Sequence, residues 1–504
     1  MKRYELGGKP VLLTELLEAA GIAAIAPAVP VLRVMTDSRQ CQPGDVFVAM
    51  PGTRTDGVQF VAQALAAGAV AAVVPADRVA DCGATGVLIP VPDGTIACAE
   101  LAAAFYGHPG RSLRLFGVTG TNGKTTTAHL LEWLLAAEYK MGLLGTLYSR
   151  WGGKTWPASH TTPLALSLQS QLQQARAAGC EAIAMEVSSH ALHQKRVWGL
   201  PFTAAVFTNL TQDHLDYHPT LEDYFQAKAL LFEPRYLTGR AIVNADCPYG
   251  QRLLAWLQER GQGVWSYSVQ GRADLWVEHL QYSETGVTGL LHGPGGTTRL
   301  RSPLVGSFNV ANILGAVGAA LHGGIALEDI ALRLTEFARV PGRMERVPVD
   351  GDSDVTVVVD YAHTPDSLDN ALRALRPFVR HRLVCVFGCG GDRDRTKRPL
   401  MGRIAATLAD RVYVTSDNPR TEDPAAILQD IVADMNGGAP FTVEADRRAS
   451  ILQAIAEAAP GDTILIAGKG HEDYQILGTR KIPFDDRIEA AAALRCRQRD
   501  RPTG

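Results

Sequence analysis

The sequence predicts an α/β protein of three domains, and three observations lead there. Its 504 residues exceed what one hydrophobic core organises and suggest roughly three domains of about 150 residues. Two separate stretches alternate short apolar strands with helical segments, the pattern of parallel sheets covered on both faces. Nearly every such strand runs into a cluster of glycine, polar or charged residues, and open α/β sheets bind ligands outside the carboxyl ends of their strands. Two sheets loaded in this way suggest a site between two domains.

Residues 1–107 mix apolar runs, Val46 to Met50 and Val70 to Val74, with alanine-rich helical stretches, as a small α/β domain does. His108-Pro109-Gly110 reads as a linker, because Pro and Gly punctuate chain segments. A second domain is expected over 108–340. Its strands are Leu113 to Val118, Ala182 to Val187, Ala204 to Phe207 and Ala241 to Val243. A helix is expected over Thr125 to Glu138, with Leu130, Leu131, Leu134 and Leu135 on one face. Residues 265–305, rich in Gly and Thr, suggest a small β insertion. The turn Val340-Pro341-Gly342-Arg343 opens a third domain over 341–504, with strands Val355 to Val359, Leu383 to Phe387, Val412 to Thr415 and Thr463 to Ala467. No internal repeat or low-complexity tract is present.

Hydrophobic residues make up 46% and charged residues 20%, as in ordinary globular proteins. A net charge of −3 gives no basic footprint for nucleic acid or an anionic membrane, so an anionic substrate must be held by local arginines and backbone amides. Of the eight cysteines none forms a Cys-x-x-Cys pair, and Cys385 with Cys389 has the wrong spacing for a common zinc site. Buried or free thiols in a reducing compartment are expected. The start, Met1 to Pro10, lacks the apolar run of a signal peptide, and no stretch approaches the ~20 apolar residues of a membrane span. A cytoplasmic protein is expected.

The strongest local signal is Gly117-Val118-Thr119-Gly120-Thr121-Asn122-Gly123-Lys124-Thr125, between a strand and a helix as a phosphate loop requires. Glycines let backbone amides converge on phosphate oxygens, and the helix N-terminus favours negative charge. Lys124 would reach the β- and γ-phosphates, and the Thr125 hydroxyl would ligate Mg²⁺. The general pattern wants glycine where Val118 stands, so the loop is a variant. Glu186 ends an apolar strand, as a magnesium-binding acid does in a nucleotide-hydrolysing core. His214, in Asp213-His214-Leu215-Asp216, reads equally well as a metal ligand or as a satisfied loop histidine.

Taken together, these motifs resemble the Mur ligase family. The resemblance rests on Thr119 to Thr126, Glu186-Val187-Ser188-Ser189-His190 and Asp213 to Asp216. It continues through Ser307 to Asn312, Pro341 to Glu345, Asp360 to Pro365 and Gly468-Lys469-Gly470-His471-Glu472, so it spans essentially the whole chain. It implies an N-terminal domain for a UDP-sugar, a central ATP-binding domain and a C-terminal Rossmann-like domain for an incoming amino acid. By the same resemblance Thr36, Asp37, Ser38 and Arg39 would meet the uridine end, near the Gly52 to Gly57 loop. His160, Thr161, Thr162, Ser188, Gln194 and Arg196 would hold the muramoyl peptide. Gly120, Thr121, Asn122, Gly123, Lys124, Thr125 and Thr126, with Asn309, Arg343 and Asp360, would hold ATP. Lys228 matches the family's carbamylated lysine, where CO2 turns a cation into an anion that can face Mg²⁺; from sequence position alone it is a helix-surface lysine. Thr125 and Glu186 would share one Mg²⁺, and His214 with carbamylated Lys228 a second.

The implied activity is ATP-dependent addition of meso-diaminopimelate to UDP-N-acetylmuramoyl-L-Ala-D-Glu through an acyl phosphate. Lys124, Glu186, His214 and Lys228 would carry it. Diaminopimelate differs from lysine by a carboxylate at its far end, which an arginine can grip bidentately. Arg420, in Asp417-Asn418-Pro419-Arg420, and Arg393 are the candidates. Asp417 and Glu472 would accept the ammonium, with Gly468 beside them. The expected partners are these small molecules, with no nucleic acid, no membrane insertion and a monomeric chain. A lysine-adding relative conflicts with Arg420, and a folate ligase with the long N-terminal domain. A P-loop switch gives no reason for the loaded C-terminal domain, and a non-catalytic homologue none for the intact Lys124, Glu186, His214 and Lys228.

Overall fold

The computed structural model describes residues 11–52, 55–349 and 353–499. The chain start, Met1 to Pro10, and Thr53 and Arg54 of the Gly52 to Gly57 loop lie outside the described residues. The chain divides into two compact units, residues 1–119, 135–206 and 227–241 in the first and 120–134, 207–226 and 242–504 in the second.

In the first unit, strands Arg33–Met35, Asp45–Val48, Ala71–Pro75 and Leu88–Val91 form a parallel sheet in that order. Side chains alternate across a strand. Val46 and Val48 therefore face the helix residues Leu13, Leu16 and Leu101, while Phe47 faces Val58, Val61 and Ala64. His108 is half-buried, and the buried Pro109 and Gly110 open the short helix Pro109–Ser112. A second sheet holds, in order, Lys154–Pro157, Tyr148–Trp151, Met141–Leu144, Ala182–Glu186 and Arg114–Thr119. The last three of these five strands are parallel to one another, and their carboxyl ends carry Gly145, Glu186 and Thr119.

In the second unit, the helix after the phosphate loop, Lys124–Leu135, buries Leu130, Leu131 and Leu134 as its periodicity predicts. It ends at Leu135, a turn earlier than the expected Glu138. The expected β insertion is a run of strands from Val264–Ser268, which pairs in parallel with Leu275–Ser283. Leu275–Ser283, Gly286–Gly293 and Gly296–Ser302 then form an antiparallel meander.

The C-terminal sheet runs Glu345–Arg346, Thr356–Asp360, Thr463–Ala467, Leu383–Phe387, Arg411–Val414, Phe441–Val443, parallel throughout except for its first strand. Helices Pro365–Leu375, Lys397–Leu408 and Pro424–Val432 cover one face through Leu368, Leu372, Met401, Ile427 and Ile431. Helices Arg447–Ala456 and Asp486–Arg499 cover the other through Ile451, Ile455, Ala490 and Leu494. This order sets the last strand in sequence, Thr463–Ala467, between Thr356–Asp360 and Leu383–Phe387. The loops after residues 360, 387, 414 and 467 are thereby gathered at one end of the sheet.

Candidate active site

The variant phosphate loop has a structural cause. Val118 is fully buried within strand Arg114–Thr119, so the turn begins only at Gly120. Two glycines make that turn possible. Gly120 has φ 150°, and a Cβ there would overlap Thr208 Oγ1; Gly123 has φ 86°, and a Cβ there would overlap Asn312 Oδ1. The loop is braced from outside. Asn122 N–H donates to Asn209 Oδ1 at 2.9 Å, Thr208 Oγ1 donates to the Asn122 carbonyl at 2.6 Å, and Thr121 N–H donates to the Asn209 carbonyl at 2.9 Å. Lys124 Nζ folds back onto the carbonyls of Gly120, 2.9 Å, and Thr121, 2.8 Å, over the cradle where phosphates would lie. Asn309 spends its amide inside the fold, donating to the Val305 carbonyl and accepting from Asn312. Thr126 is buried in the first turn of the helix that follows.

Arg343 reaches this loop from the turn after Val340. Its Nη2 donates to Thr125 Oγ1 at 3.0 Å, its guanidinium lies 4.4 Å over the Tyr361 ring, and its buried Nε has no partner among the described residues. The turn is tied to strand Thr356–Asp360: Met344 N–H donates to Asp360 Oδ2 at 2.7 Å, and Tyr361 N–H to the Gly342 carbonyl at 3.0 Å. Burial raises the Asp360 carboxyl to about 6, against the opposing pull of Arg343. Asn122 Nδ2 donates to Asp366 Oδ2 at 2.7 Å, tying the phosphate loop to the first turn of helix Pro365–Leu375.

Beside the loop, the buried Asp213 gathers three nitrogens: His214 Nε2 at 3.4 Å, Lys397 Nζ at 3.5 Å and His363 Nε2 at 3.8 Å. Burial opposes ionisation of Asp213, but His214, Lys397 and His363 outweigh it and hold the carboxyl well below its usual range. Burial, then Lys397, pushes His363 down to about 4. His214 has φ 56°, a left-handed backbone that turns its ring toward Asp213 and Tyr224.

At the carboxyl ends of Arg411–Val414 and Thr463–Ala467 lies a second charged group. Asp417, Asn418 and Pro419 are buried, and Gly468 has φ 115°, where a Cβ would stand 2.7 Å from Asp417 Oδ2. The fully buried Lys469 donates to Glu472 Oε2 at 2.9 Å and to Asn418 Oδ1 at 3.1 Å, and sits 3.5 Å from Asp417 Oδ1. Burial would raise the Asp417 carboxyl, yet Lys469 and Arg447 hold it below its usual range. Arg420 is anchored through Nη1 to the carbonyls of Gly391, 2.8 Å, and Asn418, 3.4 Å. Arg393 is exposed, and its Nη1 donates to the Asp392 carbonyl.

In the first unit, Glu186 is fully buried and accepts from Thr146 twice, N–H to Oε1 at 2.8 Å and Oγ1 to Oε2 at 2.9 Å. Thr161 Oγ1 is 3.1 Å from Thr146 Oγ1. Thr162 Oγ1 donates to the Glu186 carbonyl and accepts from Ser188 N–H, and Arg196 Nη1 donates to the Thr162 carbonyl at 2.9 Å. Gln194 Oε1 accepts from Arg196 Nε and Nη2, and His160 is exposed beside Ser159. Glu186, Thr161, Thr162, Ser188, Gln194 and Arg196 thus form one hydrogen-bonded patch. Lys228, a surface lysine by position alone, is 1% exposed in helix Leu221–Ala229. In the N-terminal sheet domain Asp37 caps the short helix Ser38–Gln40 and pairs with Arg39, Ser38 Oγ donates to Gln63, and Thr36 is exposed.

Three family models match the chain in succession: the Mur ligase family catalytic domain over residues 30–106, the Mur ligase middle domain over 118–320 and the Mur ligase glutamate ligase domain over 342–470. The chain belongs to the Mur ligase family. Mur ligases named UDP-N-acetylmuramoyl-L-alanyl-D-glutamate–2,6-diaminopimelate ligase are its relatives. That of Trichormus variabilis is 58% identical over 470 residues, covering 92% of this chain and 94% of the relative. That of Gloeobacter violaceus is 57% identical over 483 residues, covering 96% and 98%. A solved structure of the same name matches with a TM-score of 0.68 at 34% identity, covering 97% of this chain and all of the other. As a Mur ligase, the protein is an ATP-dependent amide ligase of peptidoglycan precursor synthesis.

Residues of this Mur ligase's charged groups that carried no role in the sequence reading include Asp213, His363, Lys397 and Lys469, and beside the phosphate loop Asn312 had none either. Asn312, His363 and Lys469 sit inside motifs that the resemblance uses, so the signal was present but silent about roles. Nothing local marks Lys397, which joins the group because helix Lys397–Leu408 starts beside Asp213. Seven of the eight cysteines are buried and Cys496 is exposed. Among the described residues no helix is long and apolar enough to cross a membrane.

Proposed function

We propose that this Mur ligase joins the amino group of meso-diaminopimelate to the D-Glu γ-carboxylate of UDP-N-acetylmuramoyl-L-Ala-D-Glu, converting ATP to ADP and phosphate. One observation carries the choice of amino acid. Arg420 is anchored by one edge of its guanidinium beside Asp417, Asn418 and Glu472, an arrangement suited to a carbon bearing both carboxylate and ammonium.

A carboxylate resists attack by an amine, because the departing group would be oxide. Transfer of the ATP γ-phosphoryl group to the γ-carboxylate oxygen gives an acyl phosphate and ADP. The amine then adds to the acyl carbon, the tetrahedral intermediate expels phosphate, and the amine's extra proton is lost. In the first step two anions meet. Lys124, released from the Gly120 and Thr121 carbonyls, would follow the γ-phosphate, and Arg343 would add a second cation.

Thr125 and Glu186 offer hard oxygen donors that suit Mg²⁺, and we assign them to one ion, with His214 and carbamylated Lys228 serving a second. Bound there, Mg²⁺ would supply charge neutralisation at the phosphates. The burial of Lys228 fits a lysine whose charge has been changed or offset, since buried lysines are rare unless paired. Asn309, Asp360 and the loop Gly120 to Thr126 are assigned to ATP. Thr36, Ser38, His160, Thr161, Thr162, Ser188, Gln194 and Arg196 are assigned to the UDP-muramoyl peptide. Arg393, Asp417, Asn418, Pro419, Arg420, Gly468 and Glu472 are assigned to diaminopimelate. We take the enzyme to be a cytoplasmic monomer acting on small molecules, with neither nucleic acid nor membrane as partner.

The test is phosphate release by the purified chain with ATP, Mg²⁺ and UDP-N-acetylmuramoyl-L-Ala-D-Glu, offered meso-diaminopimelate or L-lysine. Turnover with diaminopimelate alone is expected. Equal turnover with lysine would discard the specificity argument, and no turnover with either would overturn the proposal.

A further inference from the structure

Beside the residues assigned to the amino acid lies one more cation, the fully buried Lys469. We propose that Lys469 is a positioning residue that balances the charge of this site and thereby sets its preference for a substrate end carrying ammonium and carboxylate together. The inference deepens the reading above and rests on it.

Two features of Lys469 support it. The first is orientation. An Asn amide can point either way, but Asn418 Oδ1 accepts from both Lys469 Nζ, 3.1 Å, and Ile476 N–H, 2.9 Å. Two donors on one atom fix the amide, so Nδ2 is directed to Glu472 Oε2 at 2.8 Å. Glu472 Oε2 is then filled by Lys469 and Asn418, and among the described residues Oε1 meets only the Tyr474 hydroxyl, at 3.3 Å. One carboxylate oxygen is thus kept for a ligand ammonium.

The second feature is charge. Asp417 and Glu472 carry two negative charges; Lys469 and Arg420 carry two positive ones. Lys469 is fully buried, so its charge acts on its neighbours with little screening by water. The four sum to zero, which suits a zwitterionic carbon whose carboxylate meets Arg420 and whose ammonium meets Glu472. The far end of L-lysine brings an ammonium and no carboxylate, leaving Arg420 unopposed and the occupied site with an excess positive charge. Without Lys469 the preference shifts, because a site of net charge −1 suits a lone ammonium better than a zwitterion.

The test uses the full chain. Lys469→Met and Lys469→Gln are compared with Lys469→Arg and wild type, measuring kcat/KM for meso-diaminopimelate, the KM or inhibition constant of L-lysine, and the KM for ATP. Gln can keep a hydrogen bond to Asn418 Oδ1 and is the milder change. Both neutral variants should lower the diaminopimelate-to-lysine preference by about tenfold or more, the equivalent of one exchanged buried charge interaction of ~1.4 kcal/mol. Lys469→Arg should stay near wild type, and the ATP KM should change less than about twofold in all three, a margin well below one tenfold step. A neutral variant that loses rate but keeps the wild-type preference would overturn the inference and leave Lys469 a structural residue. Wild type that ignores diaminopimelate would overturn the parent reading instead.

Discussion

Replacing Arg420 by Ala tests the specificity argument most directly. Arg420 has φ 53°, and Ala bears the same left-handed strain as Arg, so the backbone term cancels in the comparison. What is lost is the guanidinium edge that Nη1 holds in place through the Gly391 and Asn418 carbonyls. A hydrogen bond to a charged group is worth about 1.5–3 kcal/mol, and a fork on a carboxylate makes two that are not fully additive. Taking about 3 kcal/mol in all, and 1.4 kcal/mol per factor of ten, the KM for diaminopimelate should rise roughly 100-fold. The ATP KM should stay within about threefold of wild type, well under 1 kcal/mol. Arg420→Lys should fall between the two, since an ammonium keeps the charge but not the fork. Steady-state phosphate release with each substrate varied in turn reads both constants. Equal rises in both KM values, or a fall in kcat with the diaminopimelate KM unchanged, would refute the assignment of Arg420 to the substrate carboxylate.

Four further outcomes are expected. Burial raises the Asp360 carboxyl from 3.8 to about 6, so its contribution to stability is fully present below pH 3.8 and is lost as pH rises through 6. The melting temperature of Asp360→Asn relative to wild type should therefore climb between pH 4 and pH 8, by the equivalent of up to about 3 kcal/mol; a flat difference would count against a raised carboxyl. Gly342→Ala places a Cβ against His471 N at φ 67°, and should cost more than about 2 kcal/mol by thermal unfolding, with diaminopimelate-dependent turnover lost. Arg447→Met leaves the fully buried Asp486 without its two 2.7 Å bonds and should cost about 3–5 kcal/mol; adding Asp486→Leu should recover part of that in denaturant titrations. Glu186→Gln should lower kcat about 100-fold or more at saturating ATP, and EDTA should abolish wild-type turnover; a variant at wild-type rate would remove Glu186 from the metal assignment.

Part of this protein was legible in the sequence because its chemistry is contiguous. Strands Leu383–Phe387 and Thr463–Ala467 appear with their expected ends, each being a continuous apolar run closed by a polar cluster. The phosphate loop was readable for the same reason: Gly120 and Gly123 shape its backbone, and Lys124 and Thr125 follow directly, so the whole signal is contiguous. Less was legible where local pattern underdetermines an end, as at Leu135, where the alanine-rich continuation gives no stop signal. The burial of Lys228 contradicted its position-based reading, because a lysine's exposure depends on what packs over its helix. The charge groups were the hardest to see. Asp213 meets His363 and Lys397 from 150 and more residues away, and Lys469 meets Asp417 and Asn418 from about 50, distances along the chain that no motif spans. The sequence by itself determined many of the central strands, the position of the candidate phosphate loop and the family. Which carboxylate neutralises which cation was decided only when the sheet order set Thr463–Ala467 beside Leu383–Phe387, because electrostatic pairing depends on distance in space and on burial, and neither is written along the chain.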